Sequence, residues 1–151
     1  RFTTPHLRSD VYGITTRSNR RIQAWADIDQ PGVQVGVQAG TFMEPVMRQR
    51  LKHAGLVSIH LPQTRERELI AGRVDVFMTD YPYGRALIES TEWAALVAPP
   101  KPFYTLPYAH ASKPGDVEWR AVLNAFVARI RQDGRLETAA RRHGLESILL
   151  N

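Results

Sequence analysis

Two short segments of the sequence carry residues that could hold a small charged molecule. The first is the turn around Gly40-Thr41, which follows a stretch where Val33, Val35 and Val37 alternate with polar or small residues. Glycine lets a ligand approach the backbone closely, and the unpaired N–H groups at the start of a following helix favour an anion such as a carboxylate. The turn is therefore a candidate anion site, although a single Gly-Thr turn does not specify one.

The second segment is Thr79-Asp80, which follows the stretch 74–78, apolar apart from Asp75. No lysine or arginine follows Asp80 before Arg85, so an external ammonium group is a natural partner for its carboxylate. The simpler alternative is that Asp80 caps the helix that begins around Pro82. Both interpretations remain open from the residues alone.

Strand and helix patterns alternate along the chain. Alternating or apolar runs predict strands at 11–16, 33–37, 57–61, 74–78 and 96–97, and a short helix is expected over 22–27. Thr41 with Glu44 has the spacing of a capping box, and Thr64 is a second expected helix cap. Three strand–helix–strand units predict a mainly parallel, doubly wound α/β sheet, in which ligands bind at the carboxyl ends of strands.

The strongest helix pattern lies near the end of the chain. Trp119, Val122, Phe126 and Ile130 recur three and four residues apart, as the apolar face of a helix does. This spacing predicts that Trp119 and Phe126 belong to the hydrophobic core. Tyr81, Tyr83 and Tyr104 fit either the wall of a ligand site or ordinary half-buried positions.

Composition excludes several function classes. The 151 residues contain no cysteine, and the five histidines never fall at metal-ligand spacing, so neither a disulfide nor a metal site is expected. The net charge of +5 comes from basic residues scattered along the chain, so nucleic acid is not an expected partner. No nucleotide-binding or nucleophile-elbow motif occurs, and no cofactor is predicted.

Five segments form an ordered pattern over the whole chain. They are Phe2-Thr3-Thr4-Pro5-His6; Val35 to Thr41 followed by Glu44; Leu69-Ile70-Ala71-Gly72-Arg73-Val74-Asp75 continuing to Asp80; Lys113-Pro114-Gly115-Asp116; and Asn124 with Asp133-Gly134. This order resembles the family-3 extracellular solute-binding proteins, the polar amino-acid receptors of ABC importers. No single segment is as specific as their sequence along the chain.

The resemblance implies a periplasmic-binding-protein-like type II fold, with two doubly wound α/β lobes joined by a hinge. Residues 1–30 would supply a remnant of lobe 1 and the first hinge crossing, 31–104 would form lobe 2, and 105–151 would supply the second crossing and the C-terminal helices of lobe 1. Lobe 1 is expected to be incomplete at its N-terminal side. Its remaining part should expose apolar surface, which would favour self-association.

The resemblance also implies a site and a function. Gln38, Thr41 and Phe42 would line a cleft and hold a carboxylate or side chain, while Asp80 would take an ammonium group with Thr79 beside it. The protein would capture an amino-acid-like or carboxylate ligand between its lobes, without catalysis, for an importer's membrane subunits or as a sensor. A periplasmic or extracellular location, with a signal peptide removed, is implied as well.

The chain departs from the family pattern at two places, and an enzyme branch of the same fold is an alternative. The carboxylate-clamping arginine of the family would lie before Phe2, and His6 stands where a tyrosine is usual. An enzyme branch that resembles cyclohexadienyl (prephenate/arogenate) dehydratase shares segments such as Asp29-Gln30-Pro31-Gly32. In that branch an acid is expected two positions after Thr41, where this chain has Met43. An effector module of a regulator is a third possibility.

Overall fold

The computed structural model describes residues 1–150, which form two compact units. One unit, the sheet unit, is continuous from Asp10 to Tyr104; the other, the split unit, combines Arg1–Ser9 with the chain from Thr105 onward. The elements in chain order are β1 (Leu7–Ser9), β2 (Val11–Thr16), β3 (Gln34–Gln38), α1 (Met43–Arg50), β4 (Gly55–Ile59), α2 (Arg65–Ile70), β5 (Val76–Asp80), α3 (Tyr81–Ser90), β6 (Ala94–Val97), β7 (Leu106–Tyr108), α4 (Val117–Gln132) and α5 (Arg135–Arg142).

The sheet unit is built on five strands in the order β4-β3-β5-β2-β6. β3 lies parallel to β4 and β5, and the three predicted strand–helix–strand connections run through α1, α2 and α3. β2 is antiparallel to both of its neighbours, β5 and β6. The α/β prediction is thus confirmed, with one reversed strand inside an otherwise parallel sheet. Because β2 belongs to this sheet, residues 10–30 pack with the sheet unit, and the predicted lobe boundary at residue 31 falls inside it.

The two faces of the sheet bury separate apolar clusters. Successive side chains of a strand point to opposite faces, so Val76 and Met78 pack on one face and Phe77 on the other. Met43 and Met47 of α1 cover the first face, and all five of these residues are buried. A strand buried on both faces needs this continuous apolar run, which accounts for the sequence pattern before Asp80.

The sequence correctly predicts the start of α2 but not the helix expected over 22–27. Thr64 caps α2 as predicted, because its hydroxyl accepts a hydrogen bond from the N–H of Arg67. The helix expected over 22–27 is reduced to one 3-10 turn, Trp25–Asp27. Asp27 explains the reduction, since its carboxylate accepts the N–H groups of Gln23 and Ala24 and so satisfies them outside a helix.

The split unit pairs β1 with β7 antiparallel and carries α4 and α5. The prediction that Trp119 and Phe126 are core residues is wrong: within residues 1–150 they remain 51% and 42% exposed. Val122 is also exposed, whereas Val127 on the same helix is 1% exposed. Helical spacing identifies an apolar face but not what covers it. The expected exposed apolar surface in this unit is present.

The exposure of α4 has a measurable consequence for stability. We expect Trp119→Lys and Val122→Lys each to change the free energy of unfolding by less than about 0.5 kcal/mol, because both side chains already face solvent. Val127→Ala should cost roughly 2 kcal/mol, since it removes buried methyl groups and leaves a cavity. Urea unfolding followed by circular dichroism measures all three. A lysine variant as costly as Val127→Ala would mean that the α4 face is covered in solution.

Two histidine rings stack beside the β1–β7 pair. The ring centroids of His6 and His110 lie 4.8 Å apart at an interplanar angle of 15°. Partial burial lowers the pKa of His6, and the positive charges of His110 and Arg131 lower it further. The folded split unit therefore favours the neutral His6 ring.

This histidine pair predicts a pH dependence of stability. His6 binds protons less readily in the folded chain than in the unfolded chain, so the free energy of unfolding should fall as the pH drops below about 6.5. His6→Phe keeps a ring to stack on His110 but cannot titrate, so its stability curve should be flatter between about pH 5 and 7. Urea unfolding across that range tests the expectation, which an unchanged slope in the variant would contradict.

Candidate functional site

One edge of the sheet unit brings together the ends of three strands. β3 and β5 are parallel neighbours, paired through Val35 and Val76, so both end at the same edge. β2 runs in the opposite direction, and its first residue, Val11, pairs with Asp80. Both segments that the sequence singles out therefore lie at a single strand-end edge, which we define as Val11–Tyr12, Gln38–Phe42 and Thr79–Tyr81.

The Gly40 turn differs in detail from the predicted capping box. Gly40 has φ +78°, a left-handed conformation that favours glycine. Thr41 does not cap α1: its hydroxyl donates to the carbonyl oxygen of Gln38 at 2.8 Å, and Phe42 stands at the cap position without a side-chain hydrogen bond. Within residues 1–150 the N–H groups of Phe42 and Met43 make no hydrogen bond. The turn thus leaves two donors at the positive end of the α1 dipole.

Glu44 supports the turn from the first turn of α1. Its carboxylate accepts the N–H of Gly40 at 3.2 Å, the hydroxyl of Ser58, and a guanidinium N–H of Arg48 at 3.2 Å. The hydrogen bond from Ser58, followed by those from Gly40 and Arg48, lowers the pKa of Glu44 despite partial desolvation. The ionised Glu44 carboxylate therefore links the turn to β4 through Gly40 and Ser58, and it does not form a capping box with Thr41.

Asp80 ends β5 and begins α3. Its carboxylate accepts the N–H of Tyr83 at 2.9 Å, so the capping interpretation of Asp80 is confirmed. Gly84 brings α3 close to the sheet: a Cβ at that position would lie 2.8 Å from Leu96 and 3.4 Å from Thr79. The cap and this close packing fix the Asp80 carboxylate at the strand-end edge.

The other predicted site residues are placed with different freedom. Phe42 is 38% exposed, and its ring stacks on Tyr104 with centroids 6.0 Å apart. Gln38 is half-buried, and its amide donates to the carbonyl oxygen of Ile59 at 2.9 Å. Thr79 is 1% exposed, so little of its side chain reaches solvent. All three stand at or beside the strand-end edge, and Phe42 presents the most surface.

The strand-end edge also contains residues that sequence reasoning missed. Tyr12 pairs with Thr79 across the β2–β5 ladder, and its ring lies 5.4 Å from that of Tyr81. Burial raises the pKa of Tyr12, and the charge of Asp10 and the neighbouring Tyr81 raise it further. Tyr12 was overlooked because nothing in the sequence shows that β2 runs antiparallel and begins at this edge.

Asp10 is hydrogen-bonded to the chain segment that contains Tyr104. Its carboxylate accepts N–H groups from Val11 at 2.7 Å, Phe103 at 2.8 Å and Tyr104 at 2.7 Å. Asp10 thereby joins the first and last residues of the sheet unit and holds Tyr104 where it meets Phe42. Isolated aspartates of this kind give no sequence signal, because their partners lie more than 90 residues away.

A cation lies near the end of β5 on the α2 side. The Arg65 guanidinium lies 5.2 Å from the centre of the Phe77 ring and 4.9 Å from that of Tyr83, and it donates to the carbonyl oxygen of Met78 at 2.8 Å. The Tyr83 hydroxyl donates to Glu66. Burial and Glu66 raise the pKa of Tyr83, whereas Arg65 opposes that rise. Nothing in the local sequence distinguishes Arg65 from the other arginines.

No arrangement of three or more metal-binding side chains is found within residues 1–150. In the same part of the chain, no helix is long and apolar enough to cross a membrane.

Comparison with known proteins finds distant relatives. No family model matches the chain. It is 25% identical over 136 residues to the L-cystine-binding protein TcyJ of Escherichia coli strain K12, covering 90% of this chain and 50% of that protein. It is 31% identical over 125 residues to cyclohexadienyl dehydratase of Pseudomonas aeruginosa, covering 78% of this chain and 47% of the enzyme. The chain therefore spans about half the length of these curated relatives.

Solved structures match the fold across nearly the whole chain. The ancestral amino acid-binding protein AncCDT-1, a precursor of cyclohexadienyl dehydratase, aligns with a TM-score of 0.76 and 23% identity, over 93% of this chain and 60% of that one. The amino acid ABC transporter substrate-binding protein AbpA of Streptococcus pneumoniae, bound to L-arginine, aligns with a TM-score of 0.76 and 22% identity, over 99% and 63%. The fold is that of type II periplasmic binding proteins, and this chain spans about 60% of the length of each of these two proteins.

Proposed function

We propose that this chain, whose homologues and structural neighbours are family-3 amino-acid-binding proteins, binds a free amino acid through the strand-end edge of its sheet unit. The observation that carries the proposal is the placement of opposite electrostatic features at one edge. The α1 N-terminus offers the N–H groups of Phe42 and Met43, and Asp80 offers a carboxylate at the end of the adjacent strand. A zwitterion presents the complementary pair of charges.

The α1 N-terminus would take the ligand carboxylate. Unpaired N–H groups and the helix dipole both favour an anion there, and Gly40 leaves the approach open because no atom outside residues 39–41 lies within 4 Å of the position a Cβ would occupy. Glu44 does not close this approach, since its carboxylate is engaged by Gly40, Ser58 and Arg48. We assign the ligand's carboxylate to the Phe42 end of the edge.

Asp80 would take the ligand ammonium, with Thr79 beside it at the end of β5. Tyr12 and Tyr81 lie next to Asp80, and Phe42 with Tyr104 forms an aromatic surface near the other end. Aromatic rings pack on aliphatic chains and attract cations. This combination suits an amino acid with a long or cationic side chain, and proteins similar to this chain bind L-cystine and L-arginine.

A dehydratase function is the weaker candidate. Its support is the 31% identity to cyclohexadienyl dehydratase. Elimination of a hydroxyl needs a general acid that keeps its proton near neutral pH. Met43, where the acid is expected, is 6% exposed and packs in the core, and hydrogen bonds lower the pKa of the neighbouring Glu44. These two positions favour binding over catalysis.

We further propose that the chain works outside the cytoplasm with the membrane subunits of an ABC importer. Support comes from the relatives, which include a cystine-binding protein and a substrate-binding protein of an amino acid ABC transporter. Localisation of the tagged protein in its native cell, with uptake assays in a deletion strain, would test both parts.

Thermal unfolding in the presence of amino acids tests the binding proposal directly. A ligand at about 100 times its dissociation constant should raise the melting temperature by roughly 5–10 °C in a chain of this size. Arginine, lysine, cystine and glutamine should be compared with glycine and acetate, which lack the side chain or the ammonium group. The absence of a shift with every amino acid would overturn the proposal. Release of phenylpyruvate from prephenate would favour the enzyme instead.

A further inference from the structure

A cavity lies in the sheet unit, away from the strand-end edge. Its volume is about 200 Å³, and its lining includes Trp25, Ile28, Met47, Arg50 and Phe103. Arg50 is the last residue of α1, whereas the strand-end edge adjoins the first residues of that helix. Eight helical residues span roughly 10 Å, so the two places are separate. We call this second place the α1-end cavity.

The floor of the α1-end cavity is apolar, and two aromatic rings stand beside it. Ile28 and Met47 are 2% and 1% exposed, which gives a closed hydrophobic floor. The rings of Trp25 and Phe103 meet edge to face, with centroids 5.0 Å apart at 63°. Apolar cavities of about 150 Å³ in other proteins hold a benzene molecule, so the space here is sufficient for one aromatic ring and a small substituent.

Charge at the rim of this cavity is positive. The Arg50 guanidinium lies 5.1 Å from the Phe103 ring centre, and within residues 1–150 it makes no hydrogen bond or ion pair. Guanidinium groups bind carboxylates through two parallel hydrogen bonds. An anionic ligand group at the rim would therefore find a donor that no protein group occupies.

Asp29 also lines the cavity but does not cancel this charge. Its carboxylate accepts N–H groups from Lys52 at 3.0 Å, His53 at 2.8 Å and Ala54 at 2.9 Å. Burial raises the pKa of Asp29, but these three donors and the nearby His53 outweigh it, so the pKa is lowered overall. The Asp29 charge is thus met by the backbone of the loop after α1, which leaves Arg50 as the group available to a ligand.

We propose that the α1-end cavity is a second binding site, selective for a small aromatic carboxylate of the benzoate class. The ring would pack beside the Trp25–Phe103 pair over Met47, and the carboxylate would bind the Arg50 guanidinium. The proposal does not depend on amino-acid binding at the strand-end edge, because every residue involved belongs to the other end of α1 and its neighbours.

Titration of the chain with benzoate and with benzamide tests the second site. The two probes share the ring and differ in charge, and ligand-observed NMR or calorimetry follows both. Benzoate is expected to bind with a dissociation constant on the order of 1 mM, and benzamide about tenfold more weakly. Benzoate that fails to saturate by about 20 mM, or benzamide that binds equally well, would overturn the proposal.

Arg50→Gln supplies the matched variant, with Arg48→Gln as its control. Arg48 lies on the same helix and pairs with Glu44 at 3.2 Å outside this cavity. We expect Arg50→Gln to weaken benzoate binding about tenfold while benzamide binding stays the same, and Arg48→Gln to change neither. Equal melting temperatures of the two variants would show that the effect is local. Unchanged benzoate affinity in Arg50→Gln would overturn the assignment.

Discussion

Asp80→Asn is expected to weaken amino-acid binding by about 100-fold, the largest effect we predict on function. Asparagine caps a helix about as well as aspartate, so the hydrogen bond to the N–H of Tyr83 and the fold of α3 should survive. The lost quantity is the negative charge that would meet the ligand ammonium. Calorimetric titration with arginine or lysine, whichever the thermal screen identifies, measures the loss.

The matched control is Asp116→Asn. Asp116 caps α4 in the split unit with the same type of hydrogen bond, since its carboxylate accepts the N–H of Trp119, three residues on, at 2.9 Å. Each variant replaces one capping aspartate by asparagine, and each changes the net charge by one unit. If the two variants lose the same amount of affinity, the effect is a general consequence of charge and Asp80 is not a ligand contact.

Asp10→Ala should produce the largest loss of stability among substitutions at polar residues of the sheet unit, roughly 3 kcal/mol of unfolding free energy. Alanine leaves the N–H groups of Phe103 and Tyr104 without their carboxylate, in addition to that of Val11. Asp10→Asn should cost about half as much, because one oxygen remains and only the partner of Phe103 is replaced by a donor.

Urea unfolding of the two Asp10 variants gives this ordering directly. Asp27→Ala is the comparison, since Asp27 also accepts two backbone N–H groups but lies within its own exposed turn. Its effect should be smaller than that of either Asp10 variant. An Asp10→Ala variant as stable as the parent chain would show that Phe103 and Tyr104 are held by other contacts.

Sequence reasoning works best where a residue's role is decided by its neighbours along the chain. The strand before Asp80 is buried on both faces, so its apolar run identifies it without tertiary information, and an aspartate three residues before Tyr83 is a recognisable cap. The same holds for Thr64 at the start of α2. These local rules were sufficient to predict the α/β class and the two segments that meet at the strand-end edge.

Prediction fails where a distant residue competes for the same group. Thr41 and Glu44 have capping-box spacing, yet Ser58 on β4 and Arg48 on α1 bind the carboxylate, and Thr41 turns to Gln38 instead. The competing hydrogen bond from Ser58 exists only after β4 pairs with β3. Spacing cannot reveal a contact that the sheet creates.

The prediction for the α4 face is wrong for a different reason. Three-and-four spacing describes which side chains share a face, and it is satisfied by Trp119, Val122 and Phe126. Burial is a property of that face together with a partner, and the described residues provide one for Val127 but not for the other three. A periodic pattern is therefore evidence of amphipathicity and not of a packed core.

The Asp10 carboxylate has a consequence for how the sheet unit relates to the rest of the polypeptide. By bonding to residues 11, 103 and 104 it places the two points where the chain enters and leaves the unit next to each other. A segment with adjacent ends can be inserted into another chain without stretching either. The stretch from Asp10 to Tyr104 contains its own sheet and both proposed sites. It could therefore be expressed alone or inserted into a surface loop of another protein.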